Sequence, residues 1–237
     1  MEKFSMRKSE EQNLHAGEPK EAGKTGEGES PERSAAREEL PGREAASKER
    51  SDAEKKYFEL IKPENETEER ILRDPEWQQG AAWDKPREGH SEVKIISHIV
   101  EVLRNIDELP DVSEHERAQL RLIALVHDAF KYRVDMSRPR FGENHHGALA
   151  RKFAEKYTHD PVALNIIQRH DDAFNAWRNG HETGKWEQAK KRIRDLVIKK
   201  IGRENLRSYL FFYQCDNETG IKEQECLEWF KKITKEL

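Results

Sequence analysis

The stretch Leu120-Arg121-Leu122-Ile123-Ala124-Leu125-Val126-His127-Asp128 decides the fold of this chain. Ser113 and Glu116 upstream form a Ser-x-x-Glu capping box, so the segment reads as one helix that starts there and runs into the His-Asp doublet. Apolar side chains surround the C-terminal half of that helix, which makes it central and buried. An imidazole and a carboxylate delivered to such a place are costly unless something compensates them, and a divalent metal is the strongest partner available. Taken alone, the doublet also fits a buried hydrogen-bonded pair that supports a core.

Working outward, the apolar period stays helical. Upstream, Ile95, Ile99, Val102 and Ile106 fall at helical spacing, with Pro110 and Asp111 marking the exit. Before them, Tyr57, Phe58 and Ile61 predict a short helix ended near Pro63, and Thr67 to Arg73 predicts another stopped before Pro75. The turn-rich stretch from Trp77 to Pro86 is expected to form a lid or rim rather than core. Downstream of a loop containing Arg138-Pro139-Arg140-Phe141-Gly142, Asn144 is expected to cap a helix through Tyr157. Asp160-Pro161 pairs an N-cap acid with a first-turn proline and starts a helix through His170. Further helices are expected over Trp186 to Lys200, Glu204 to Asp216 and Lys222 to Glu236. No strand alternation and no internal repeat interrupts this pattern, so the fold class is all-α.

The 237 residues allow one medium domain with an appendage. Residues 1–50 contain a single aromatic, Phe4, among charged and small residues, and cannot bury enough apolar surface to offset the entropy of ordering. They are expected to be a disordered polar extension, followed by a helical or lid connector over 51–89 and a metal-binding helical domain over 90–237. The net charge of −4 is spread with both signs mixed, which gives no basic stripe for nucleic acid. Cys215 and Cys226 form neither a metal spacing nor a disulfide framework. No apolar stretch spans a bilayer and no secretory h-region opens the sequence, so a cytoplasmic protein is expected.

Helix faces say which side chains can reach the doublet. His98 lies on the stripe of Ile95 and Val102, and His146 leads a stripe of Ala150, Phe153 and Tyr157. His170 shares its face with Ala163, Ile166 and Ile167, while Asp216 follows Tyr209, Phe212 and Tyr213. Imidazoles and carboxylates without a thiolate suit one or two divalent transition ions such as iron, manganese or zinc better than magnesium or calcium. A carboxylate can bridge two ions and an imidazole cannot, so Asp128 is the natural bridge.

The ordered set His98, His127-Asp128, His146, His170, Asp216 resembles the HD-domain superfamily of metal-dependent phosphohydrolases, and His98-Ile99-Val100-Glu101-Val102 looks like that family's opening His-x-x-x-Val helix. The resemblance spans residues 90–220 and implies an all-helical bundle of HD type with the metals between its central helices. It implies that His98, His127, Asp128 and Asp216 bind one ion and that His146 and His170 add a second. It also implies that Lys131, four residues after the motif His, lies near the substrate phosphate. No Gly-Tyr-Pro follows His170, unlike the cyclic-dinucleotide phosphodiesterases named for that tripeptide, and no acidic pair follows Asp128 as in the alarmone hydrolases. The same order is similar to the di-iron oxygenases that cleave inositol.

These readings converge on hydrolysis of a small, nucleotide-like phosphate ester by metal-activated hydroxide, with Asp128 and Lys131 as the catalytic pair. Arg138 and Arg140 are candidates for an anion-binding rim, as against solvated loop charge. His90 is a candidate substrate contact or alternative first ligand, and otherwise a loop histidine. His145 is a candidate substrate contact that also fits a role at its helix entrance. Asp171 and Asp172 are expected to orient His170 or a water from behind. Two alternatives keep the same residues: a regulatory module that binds metal and ligand without catalysis, and a di-iron oxygenase.

Overall fold

In a computed structural model, residues 52–84, 94–220, 222 and 224–237 are described. The expected disordered extension over 1–50 and the candidate His90 lie outside these residues, as do Lys85 and Pro86 of the expected rim. The described residues are helical throughout, apart from turns and one isolated bridge between Asp84 and Lys94.

The chain opens with α1 (52–61), α2 (Glu66–Arg73) and α3 (Pro75–Ala81). Next come α4 (Ile95–Asp107), α5 (Glu114–Val126), α6 (His146–Ala154), α7 (Pro161–Arg169) and α8 (Asp172–Thr183). α9 (Trp186–Asp195) runs into a π-helical turn, Leu196–Ile201, and α10 (Leu206–Asn217) and α11 (Glu225–Lys235) complete the bundle. α5 is the hub, packed against α2, α4, α6, α7 and α10. Every residue from Leu120 to Val126 is buried, as expected of a helix apolar on all sides. Ser113 caps it, with Oγ accepting from Glu116 N–H at 3.2 Å.

One charge inside that run needs a partner. Arg121, 2% exposed, meets Glu68 of α2, 1% exposed, through two hydrogen bonds of 2.9 Å. This bidentate pair ties α2 to the hub.

The first part of the stretch, from Trp77 to Ala81, is a packed helix rather than a rim. Asp74 caps α3 by accepting from Glu76 N–H at 2.8 Å, Pro75 occupies its first turn, and Trp77 is fully buried with its indole N–H donated to Leu125 O at 2.7 Å. Gly80 lets this helix approach the hub: a Cβ there would lie 1.7 Å from the carbonyl oxygen of Ala129, the residue after the doublet. α3 therefore backs the His127-Asp128 corner.

Other boundaries shift for local reasons. His145, not Asn144, caps α6, its Nδ1 accepting from Gly147 N–H at 3.1 Å. The Asn144 amide is engaged in the preceding loop, accepting from Asp135 N–H at 2.9 Å and donating to Asp135 O and Pro139 O at 2.9 and 3.0 Å. α6 stops at Ala154, short of Tyr157. α8 is a helix that the apolar pattern does not announce, because only Ala173, Ala176 and Gly180 bury its inner face. Gly180 gives room to Trp186, whose ring would lie 2.6 Å from an added Cβ, and Gly184 at φ +70° ends the helix.

Candidate metal centre

α5 and α7 end alike. His127 and His170 are the C-cap residues, and each turns its ring back so that Nδ1 donates to the carbonyl three residues earlier: Ala124 O at 3.0 Å and Ile167 O at 2.8 Å. A carbonyl only accepts, so the Nδ1 protons are fixed and the Nε2 atoms are presented inward. His98 arrives from the buried face of α4, His146 from the first turn of α6, and Asp216 from the last turn of α10.

These side chains form two clusters that meet at Asp128. In the first, His98 Nε2 lies 3.1 Å from His127 Nε2, 3.0 Å from Asp216 Oδ1 and 3.7 Å from Asp128 Oδ2, and His127 Nε2 is also 3.7 Å from that oxygen. In the second, His146 Nε2 lies 3.0 Å from His170 Nε2, and the two lie 3.5 and 3.4 Å from Asp128 Oδ1. Asp128 thus turns one oxygen to each histidine pair. All six residues expected as ligands come together.

Lysines flank the carboxylates. Lys131 ion-pairs with Asp128 Oδ2, and Lys222 Nζ lies 3.1 Å from Asp216 Oδ1 and donates to Asp216 O at 2.7 Å. α5 ends at Val126, so Lys131 sits in a 3-10 turn, Lys131–Arg133, beyond the helix. Asp171 does not stand behind His170 as expected. It faces the second cluster, with Oδ2 3.2 Å from His146 Nε2 and Oδ1 3.6 Å from His170 Nε2.

Burial and charge set the protonation states. Burial pushes the His127 imidazole down to about 3, although Asp128 opposes it. Burial also lowers His146, against the pull of Asp171, and drives His145 down to about 4, with neighbouring His146 adding to the effect. At His170 burial is outweighed by Asp171 and Asp128, and the group is pushed up to about 9. Burial works to raise Asp128, but Lys131 and then His127 hold it well below the usual carboxylate range. For Asp216 the same contest is won by Lys222 and His98.

The donor set fits divalent metal ions. Asp128 Oδ1 is buried and accepts no hydrogen bond, while the Nε2 atoms of His146 and His170 lie 3.5 and 3.4 Å from it. Imidazole and carboxylate donors are those that iron, manganese and zinc take.

A cleft of about 1190 Å³ opens onto the second cluster, lined there by Lys131, His145, His146 and Asp171. Its outer walls carry Trp83, Arg140, Phe141 and Met136, with Phe174, Arg178 and other residues of α8 opposite. Phe141 and Met136 are 74% and 63% exposed, so the cleft mouth presents apolar surface beside positive charge. Arg138 is exposed and is not among the lining residues, whereas Arg140 is. The helix that the apolar pattern concealed forms one wall. Its signal was the Gly180 and Gly184 pair, with aromatics Phe174 and Trp177 three residues apart.

An all-helical bundle with a shared aspartate between two histidine pairs defines a class of metal-site protein. Residues 95–202 match the family model for the HD domain. The match includes His98, the His127-Asp128 doublet, His146 and His170; Asp216 follows it in sequence and is brought to the first cluster by the packing of α10 on α4 and α5. No curated protein and no solved structure matches the chain. Among the described residues no helix is long and apolar enough to cross a membrane.

Proposed function

We propose that this HD domain is a metal-dependent phosphohydrolase acting on a small phosphate ester, nucleotide-like in carrying a ring next to its phosphate. The observation that carries the reading is Asp128, with one oxygen toward each histidine pair, beside a cleft lined by Lys131 and His146. His98, His127 and Asp128 would hold one ion, with Asp216 beside the two histidines, and His146 and His170 with Asp128 a second. When bound, such ions supply polarisation of a phosphoryl oxygen and an acidified water.

The chain's own residues account for the rest. Lys131 brings a cation to the phosphate end of the cleft, where developing negative charge is stabilised. His145 accepts Gly147 N–H at Nδ1, so its neutral ring carries the proton at Nε2, 3.9 Å from Asp171 Oδ2 and facing the cleft. It is therefore a hydrogen-bond donor for a substrate oxygen. Arg140 supplies further positive charge at the mouth, and Phe141, Met136 and Trp83 offer apolar faces for the non-phosphate part.

Phosphate release tests the reading. Protein loaded with Mn2+ or Fe2+ is screened against nucleotides and sugar phosphates, beside a chelated control. Metal-dependent release is expected; a fully loaded protein that releases none from any of them overturns it.

A further inference from the structure

The second cluster contains a carboxylate that the pattern of candidate ligands leaves out. We propose that Asp171 is the terminal carboxylate ligand of the second metal ion, the counterpart of Asp216 at the first. The proposal rests on the two-ion reading above and adds to it.

The geometry separates this role from that of a supporting carboxylate. A group that orients a metal-binding histidine accepts from the ring nitrogen turned away from the metal. On His170 that nitrogen is Nδ1, and it is already donated to Ile167 O at 2.8 Å. Asp171 instead faces the inward nitrogens, 3.2 Å from His146 Nε2 and 3.6 Å from His170 Nε2. With Asp128 Oδ1 at 3.5 and 3.4 Å from the same nitrogens, two carboxylates approach the same pair of imidazoles.

The two clusters then match in composition. Each has two histidines, one oxygen of Asp128 and one carboxylate of its own: Asp216 beside His98 and His127, Asp171 beside His146 and His170. The match has a local cause. His127-Asp128 and His170-Asp171 are both doublets in which the histidine caps a helix and points Nδ1 back along it, so the following aspartate is delivered to the same side as Nε2. Asp171 is the more open of the pair, with its side chain 32% exposed on the cleft, where a terminal ligand can also meet incoming substrate. His145 completes no third site with it, since the lone pair at His145 Nδ1 is used by Gly147 N–H and the proton lies at Nε2.

Two measurements on the full chain test the assignment. Asp171→Asn is expected to lower Mn2+ bound per chain from two to one, with Asp172→Asn keeping both; unchanged stoichiometry and affinity in Asp171→Asn overturn the proposal. A supporting carboxylate would also weaken metal binding, by about 10- to 100-fold. The second variant, Asp171→Cys loaded with Co2+, removes that ambiguity, because only a thiolate bound to cobalt gives a near-ultraviolet charge-transfer band. The band is expected, and a folded, cobalt-loaded Asp171→Cys without it overturns the proposal. Wild-type protein that binds a single ion also overturns it while leaving a one-metal hydrolase possible. Two ions in wild type and one in Asp171→Asn, with no ester cleaved by either, would remove the hydrolase reading and keep the ligand.

Discussion

His127 and His170 meet edge to face, ring centroids 5.1 Å apart and planes at 86°, although 43 positions separate them in the chain (170 − 127). Both rings are anchored by Nδ1 to the last turn of their own helix, so neither can rotate its Nε2 away without breaking a buried hydrogen bond. Asp128 lies between them, and the centre is a corner where two helix ends converge.

Asp128→Ala is expected to remove both metal ions, because each of its oxygens serves a different histidine pair. His146→Ala is expected to remove only one. Elemental analysis of protein purified with and without air checks this, and wild-type metal content in Asp128→Ala would contradict the shared role.

Lys131 flanks Asp128 and lines the cleft. Lys131→Met is expected to lower kcat/KM by about 100-fold or more, the usual scale for losing a group that stabilises developing charge, with metal content unchanged. A surface helix-end lysine would shift stability by a few tenths of a kcal/mol and leave kinetics alone. Steady-state kinetics on any ester the protein cleaves, with metal occupancy measured alongside, distinguishes the two.

Metal loading is expected to release about one proton at pH 7, because His170 is pushed up to about 9 without metal and must give up its Nε2 proton to coordinate. His127, pushed down to about 3, has none to give. Stability of the metal-free protein follows with opposite signs. The folded pKa of His170 lies above its ordinary 6.5, so its contribution is complete below pH 6.5 and is lost as pH rises through 9. The His127 contribution is complete above pH 6.5 and is lost as pH falls toward 3. Calorimetry in buffers of different ionisation enthalpy measures the proton, and no dependence on buffer would contradict it.

Arg121→Ala is expected to cost about 3–5 kcal/mol, since it leaves Glu68 as an unpaired charge in the interior. Replacing both together, Arg121→Met with Glu68→Leu, is expected to recover most of that loss. Denaturant unfolding of the single and double variants checks the coupling; additive losses would show that the two groups act independently.

The all-helical fold and the inward placement of the six candidate ligands were legible because helical faces are local. A period of 3.6 residues places His98 with Ile95 and Val102, and His170 with Ile166 and Ile167, whatever the helices later pack against. Asp160-Pro161 and Ser113 act within one turn and were equally legible. The polar run of α8 and the helix around Trp77 were not, because their burial comes from partners outside their own helices: Trp77 needs Leu125 O of α5, and Gly180 needs Trp186 of α9.

Sequence by itself determined which side chains each helix offers inward, since that depends on spacing alone. Tertiary structure decided which of them meet. Where the ends of α5 and α7 converge is set by packing between helices distant in sequence, and that packing gives each oxygen of Asp128 its own histidine pair, brings Asp216 in from beyond the matched domain, and turns Asp171 toward the inner nitrogens of His146 and His170.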